Sequence, residues 1–341
     1  NGVYEQVVEQ LNNKNYIEFS GIEPNPTYET LMQAVEIARK EEIDFLLAVG
    51  GGSVIDGTKF IAAAIPFTYD DPWKLLSEQA KIEKAIPLGA ILTLPATGSE
   101  MNATAVISHK ALKQKLAFCG KSLFPKFSIL DPETMYSIPK NQLANGIVDA
   151  FIHVLEQYLT YDVNSPVQDR FAEALLITLL EEGPKLMENP KNYDVCANIM
   201  WTATMSLNGL IAVGVPEDWA THNIGHELTA LFNLDHGQSL AVVLPGLLRE
   251  MKTEKSQKLL QFAERVWKMK IKDQTACIDK VIDETENFFK SLGLKTLLSE
   301  YDVKIEDIDF LCKRLDNQKL NWGENENINS DLIRKILISR F

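Results

Sequence analysis

Apolar residues at Leu31, Ala34, Val35 and Ala38 recur at spacings of three and four, which predicts an amphipathic helix over residues 27–40. The run Asp44-Phe45-Leu46-Leu47-Ala48-Val49 follows and stops at Gly50-Gly51-Gly52. A continuous apolar run of this length suits a strand covered on both faces of a parallel sheet. A second helix is expected over Ser53–Ala64. Further strands are expected at Ile86–Leu94, Ala103–Ser108, Lys115–Phe118 and Phe127–Leu130. Alternation of this kind predicts an α/β domain. After Ser137-Ile138-Pro139 the strand signals stop and only helical periodicity remains, as in Val167–Leu180, Ala197–Val213 and Ile278–Leu292. The chain is therefore divided near residue 138 into an α/β half, 1–138, and an all-α half, 139–341. Asn321–Asn329 reads as a polar loop. At the start, Val3–Leu11 reads as a helix and Tyr16–Phe19 as a strand. A nucleotide-binding α/β unit would open with a strand, so a first strand and its turn are expected to precede Asn1.

Charge and cysteine use narrow the classes. With 47 Asp and Glu against 34 Lys and Arg, the net charge of −13 argues against nucleic acid or an anionic membrane as a partner. No apolar stretch approaches the ~20 residues that span a bilayer. Cys119, Cys196, Cys277 and Cys312 form no C-x-x-C pair, which fits a reducing cytoplasm and argues against a thiolate metal site.

Four of the five histidines fall in two patches, Asp149-Ala150-Phe151-Ile152-His153 and His222-x3-His226-x9-His236. On helices, Asp149 and His153 share a face, as do His222 and His226. Imidazole and carboxylate are the ligand types of Zn²⁺ or Fe²⁺. On one straight helix His236 would stand roughly 21 Å from His222. The pattern therefore requires a turn that folds His236 back, with Asn233, Asp235 and Gly237 as breaking residues. Spacing alone leaves open which of His222, His226 and His236 bind an ion, and the bland alternative is a surface pair plus scattered core histidines. His226-Glu227 is not H-E-x-x-H, because Ala230 stands at the second position.

Two turns suit anions. Val49-Gly50-Gly51-Gly52-Ser53 joins a strand to a helix start, where free N–H groups meet a phosphate. It is not G-x-G-x-x-G, since Ile55 occupies the third glycine's place. Asp56 follows one turn later, to cap or to reach a ligand. Thr93-Leu94-Pro95-Ala96-Thr97-Gly98-Ser99-Glu100 closes the Ile86–Leu94 strand, with Thr97 or Ser99 as a helix cap or a ribose contact. Together with the metal patches they predict a cleft between the two halves.

These stretches, with Gly21-Ile-Glu-Pro-Asn-Pro26 and Asn145-Gly-Ile-Val148 before Asp149, resemble the iron-containing-type (group III) alcohol dehydrogenases. The likeness is closest to the branch of butanol dehydrogenases and NADPH-dependent aldehyde reductases. The resemblance implies a Rossmann-like nucleotide domain, an all-α metal domain and the wider dehydroquinate synthase-like architecture. It implies Asp149, His153, His222 and His236 as ligands of one Fe²⁺ or Zn²⁺, with His226 unbound and facing cofactor and substrate. It further implies pyrophosphate binding by Gly50, Gly51, Gly52 and Ser53, and cofactor contacts from Asp56, Thr93, Thr97, Asn102 and Lys115. On its own Lys115 reads as a solvated surface lysine. NADP(H) is expected from the branch, with NAD(H) the alternative, because the discriminating turn lies before Asn1. The expected reaction interconverts small aldehydes and primary alcohols, in a homodimer. Three neutral imidazoles and one carboxylate would leave a dication with a net charge of about +1. Other readings are a polyol dehydrogenase, a dehydroquinate synthase-like lyase, a zinc hydrolase lacking a general-base motif, and a non-catalytic metal-binding protein.

Overall fold

The stripe Leu31, Ala34, Val35 and Ala38 is fully buried on α2 (Tyr28–Lys40), whose Thr27 side chain caps the Thr30 N–H. The computed structural model describes residues 2–12 and 14–341. Before α2 lies α1 (Val3–Gln10), and after it β1 (Leu46–Gly50), α3 (Gly52–Ala64) and the short α4 (Lys74–Ser77). The strands β2 (Leu88–Leu92), β3 (Thr104–His109), β4 (Gln114–Cys119) and β5 (Ser128–Leu130) complete the first half. β1, β2 and β5 form a parallel sheet in that order, with Ala48 opposite Ala90 and Leu92 opposite Leu130. α3 crosses from β1 toward β2, so the Gly-rich turn sits at the carboxyl end of the sheet, where open α/β folds bind ligands. β3 and β4 stand apart as an antiparallel hairpin, Thr104 opposite Cys119 and Ser108 opposite Lys115. That hairpin reaches toward the helical half.

The second half is α5 (Lys140–Tyr158), α6 (Pro166–Glu188), α7 (Tyr193–Ser206), α8 (Ala220–Phe232), α9 (His236–Glu250), α10 (Ser256–Arg265), α11 (Gln274–Ser291), α12 (Ile305–Gln318) and α13 (Ser330–Ile338). α5 is its axis: Ile147, Val148, Ala150, Phe151, Ile152 and Val154 are each at most 1% exposed, so the helix is covered all round. A polar side chain on such a helix needs a buried partner or a cavity. The expected α/β plus all-α architecture holds.

Two expectations fail. Tyr16–Phe19 is not a strand: it has no ladder partner among the described residues, Tyr16 and Ile17 are exposed, and only Phe19 packs, half-buried, against the core. The helix expected over Ala197–Val213 stops at Ser206. The carbonyls of Ser206 and Leu207 are taken by Gln157 Nε2 at 2.9 Å and Asn102 Nδ2 at 3.2 Å, and Gly209 turns the chain at φ +87°. Residues 321–329 form a loop as expected, tied down by a bridge between Trp322 and the fully buried Ile328.

Candidate metal and cofactor site

α5 carries Asp149 and His153 on one face, four residues apart and both nearly inaccessible. α8 presents His222 and His226, and ends at Asn233 in the left-handed region, φ +59°. Asp235 then caps α9, whose first residue is His236. The expected turn is thus made by Asn233 and Asp235. Gly237 does not break the chain; it lies inside α9, where a Cβ would come within 2.7 Å of the Asn145 backbone. Its bare surface lets α9 press onto α5 and bring His236 to Asp149.

The result is convergence on a single oxygen. Asp149 Oδ1 lies 3.4 Å from His222 Nε2, 3.4 Å from His236 Nε2 and 3.5 Å from His153 Nε2. Ligand atoms of Asp149, His222 and His236 all fall within 4.8 Å of one another; His153 approaches through Asp149 and stacks on His222 with ring centroids 4.5 Å apart. Ligands about 2.1 Å from a tetrahedral ion stand roughly 3.4 Å apart, which is the spacing from Asp149 Oδ1 to each of the three imidazoles. Nδ1 of His153 is buried without a partner. The donor set therefore fits a divalent cation. His226 stands apart, its ring 5.4 Å from that of His236 and 6.3 Å from that of His222.

Electrostatics follow the geometry. Burial would raise the Asp149 carboxyl, but His153, His236 and His222 outweigh it and hold it well below the usual range. Burial pushes His153 down to about 3 and His236 to about 4. Burial opposes charge on His222 as well, yet Glu156 and Asp149 lift it to about 9. His226 is driven well below its ordinary value by burial and then by Lys115, so it is a neutral imidazole near pH 7.

Facing this cluster is a cavity of about 770 Å³, lined from both halves and large enough for a cofactor. Gly52, Ser53, Asp56, Thr97, Asn102 and Lys115 line it, as do Asp149, His153, His222, His226 and His236. Gly50, Gly51 and Thr93 do not; Thr93 N–H donates to the Gly50 carbonyl at 3.0 Å, behind the wall. The first turn of α3 holds no acidic residue, and the N–H groups of Gly52 and Ser53 make no backbone hydrogen bond among the described residues. They are free for an anion. A Cβ on Gly52 would sit 2.4 Å from Thr97 Oγ1, so only glycine lets α3 touch the second turn. In that turn Thr97 Oγ1 accepts the Ser99 N–H at 3.3 Å, and Gly98 is left-handed.

Asp56 neither caps nor is free. Its oxygens accept from Ser99 Oγ at 2.5 Å and Val106 N–H at 2.8 Å, tying α3 to the second turn and the hairpin. Asn102 is committed likewise, accepting from Lys59 Nζ at 2.9 Å while its Nδ2 donates to the carbonyls of Thr97 and Leu207. Lys115 is no solvated lysine: the hairpin buries it, Nζ donates to Asn25 Oδ1 at 2.9 Å and lies 3.4 Å from His236 Nδ1. Burial pushes it down to about 8.

Sequence reasoning missed Lys59 and Glu156. Lys59 is fully buried beneath the second turn, donating to Ser99 Oγ, Asn102 Oδ1 and the Thr104 carbonyl at 2.8–2.9 Å. A lysine three residues after Asp56, within the mostly apolar run of α3, was the available signal. Glu156 pairs with His222 Nδ1, and its place seven residues after Asp149 put it on the same helix face.

A glycine turn with free N–H groups and a carboxylate–imidazole cluster face one cleft, an arrangement that suits an oxidoreductase of the alcohol dehydrogenase and aldehyde reductase class. The chain belongs to the iron-containing alcohol dehydrogenase family. A family model described as iron-containing alcohol dehydrogenase matches residues 1–132, and its C-terminal counterpart matches residues 143–341. The chain is 53% identical over 338 residues to the NADPH-dependent aldehyde reductase YqhD of Escherichia coli, covering 98% of this chain and 87% of that protein. It is 39% identical over 341 residues to a probable NADH-dependent butanol dehydrogenase of Bacillus subtilis, covering 98% and 87%. Among solved structures, it superposes on E. coli YqhD with a TM-score of 0.98 at 51% identity, covering 100% of this chain and 88% of that one. For the NADH-dependent butanol dehydrogenase A of Thermotoga maritima the TM-score is 0.94 at 34% identity, covering 99% and 87%.

Proposed function

We propose that this chain interconverts small aldehydes and primary alcohols with NADP(H) as the preferred cofactor, using one Fe²⁺ or Zn²⁺ held by Asp149, His153, His222 and His236. The observation that carries the reading is the meeting of three imidazole Nε2 atoms at one Asp149 oxygen, 3.4–3.5 Å away, on the wall of a cleft whose other wall is the glycine turn. NADP(H) over NAD(H) is supported by the identity to the NADPH-dependent relative, against lower identity to the NADH-named ones.

When bound, the cation supplies Lewis acidity at the carbonyl oxygen and the dinucleotide supplies hydride. The chain's residues do the rest. Gly52 and Ser53 offer N–H donors to the pyrophosphate, and Lys115 reaches the cofactor from the hairpin. Thr97, held close to Gly52, shapes the floor between them. His226, neutral and on the cavity wall, exchanges the proton at the alcohol oxygen with solvent through water or a ribose hydroxyl. The division near residue 138 is read as the hinge side of this cleft, between a nucleotide domain and a metal domain. Four free cysteines support a reducing, cytoplasmic setting, and a homodimer is carried over from the family resemblance.

Loss of NADPH and NADH absorbance with butyraldehyde, before and after chelation, with elemental analysis of the same sample, tests the reading. Faster consumption of NADPH, abolished by chelation and restored by Fe²⁺ or Zn²⁺, is expected. Chelator-insensitive turnover would overturn the metal role, and no turnover with either cofactor would overturn the reaction.

A further inference from the structure

Glu156 stands on α5 three residues past His153 and is 4% exposed, yet it is not among the residues lining the cavity. Both its oxygens are engaged. One accepts from His222 Nδ1; the other accepts the Thr221 N–H at 2.6 Å. Its main-chain carbonyl accepts the Asp218 N–H at 2.9 Å, and Asp218 Oδ1 accepts the Ala220 N–H at 2.9 Å. Lys255 then braces Asp218 at 2.6 Å, Glu324 at 2.8 Å and the Leu159 carbonyl at 2.8 Å. The first turn of α8, which carries His222, is thereby fixed from α5 on one side and from the 322–328 loop on the other.

We propose that Glu156 is the positioning residue of the metal centre, holding the Nδ1–H tautomer of His222 so that Nε2 faces the ion. The inference rests on the metal reading above. A ligand imidazole that donates its other N–H to a carboxylate is fixed in orientation and made more basic, which tightens its bond to the ion. Lys115, 3.4 Å from His236 Nδ1, places positive charge on the opposite side. Affinity for the ion thus depends on a residue that touches neither ion nor substrate.

The test is Zn²⁺ affinity by competition with a chromophoric chelator, for full-length wild type, Glu156→Gln and Glu156→Asp, with NADPH binding measured by fluorescence on the same samples. Glu156→Gln removes the charge and is expected to weaken Zn²⁺ binding about 10- to 100-fold while NADPH binding stays within about twofold. Glu156→Asp keeps the charge but draws it back by one methylene, and an intermediate loss is expected. Unchanged Zn²⁺ affinity in Glu156→Gln overturns the inference, and so does a parallel loss of NADPH binding, which would mark a merely structural role. If Glu156→Gln does not fold, Glu156→Asp decides, and wild-type Zn²⁺ affinity there overturns the inference. A wild type that takes up no Zn²⁺ would instead strike down the metal reading itself.

Discussion

His236 Nε2 lies 3.4 Å from Asp149 Oδ1, although the two residues belong to different helices and 87 positions separate them. The approach depends on Gly237, whose missing side chain lets α9 lie on Asn145. Gly237→Val is therefore expected to displace His236 and lower bound metal by about tenfold or more, as loss of a ligand-supporting contact does. Elemental analysis of the purified variant checks this, and stoichiometric metal would count against it.

His226 shares the wall with the ligands but not their convergence, its ring 5.4 Å from that of His236. His226→Ala should keep metal content near wild type and lower kcat about 100-fold, the lower range for a lost general acid–base. A variant that loses its ion would make His226 a ligand instead.

Gly52 and Thr97 touch across the two turns. An added Cβ at residue 52 would meet Thr97 Oγ1 at 2.4 Å and Cγ2 at 2.6 Å. Gly52→Ala should raise the KM for NADPH about tenfold with metal content unchanged. Thr97→Ala in the same chain removes both clashing atoms, leaving a Cβ contact of 3.1 Å, and should restore part of the loss. Additive defects would show that the clash is not the cause.

Much of this was legible in the sequence because periodicity reports burial. The α2 stripe and the apolar run into Gly50 betray their elements directly. The histidine spacings reveal a metal patch because ligands must share a face. Role assignments came from the family resemblance, since spacing alone could not separate His226 from His222. Lys115 escaped because its burial comes from a hairpin that crosses to the other half, a contact with no local signature. The end of α7 at Ser206 escaped for the same reason: distant Gln157 and Asn102 satisfy the carbonyls released there. Tyr16–Phe19 shows the converse error, a strand-like composition with no neighbour to pair.

Lys59 is the cation under the second turn, with burial pushing it down to about 8 against the pull of Asp56 and Glu100. Lys59→Met leaves those buried carboxyls without their cation and Asn102 Oδ1 without its Lys59 donor. The expected cost is about 1–3 kcal/mol, the usual consequence of leaving buried acceptors without their donor. Urea unfolding at neutral pH checks this, and a change under about 1 kcal/mol would show that the carboxyls are already neutral.

Glu286 gives the acid limit of stability. Burial alone would raise its carboxyl, but Arg249, Lys290 and Arg340 outweigh burial and hold it at about 2, against an ordinary 4.5. A folded-state value below the unfolded one stabilises the fold above pH ~4.5 and loses that contribution as pH falls toward 2. Arg340 is buried beside it, donating at 2.7 Å, while Arg249 and Lys290 are partly solvated, so screening trims the effect to about 1–2 kcal/mol. Glu286→Gln should therefore be less stable than wild type at pH 7, with the gap closing between pH 5 and pH 2 in urea titrations. A gap that stays constant across that range would mean the carboxyl's charge contributes nothing and its role is packing alone.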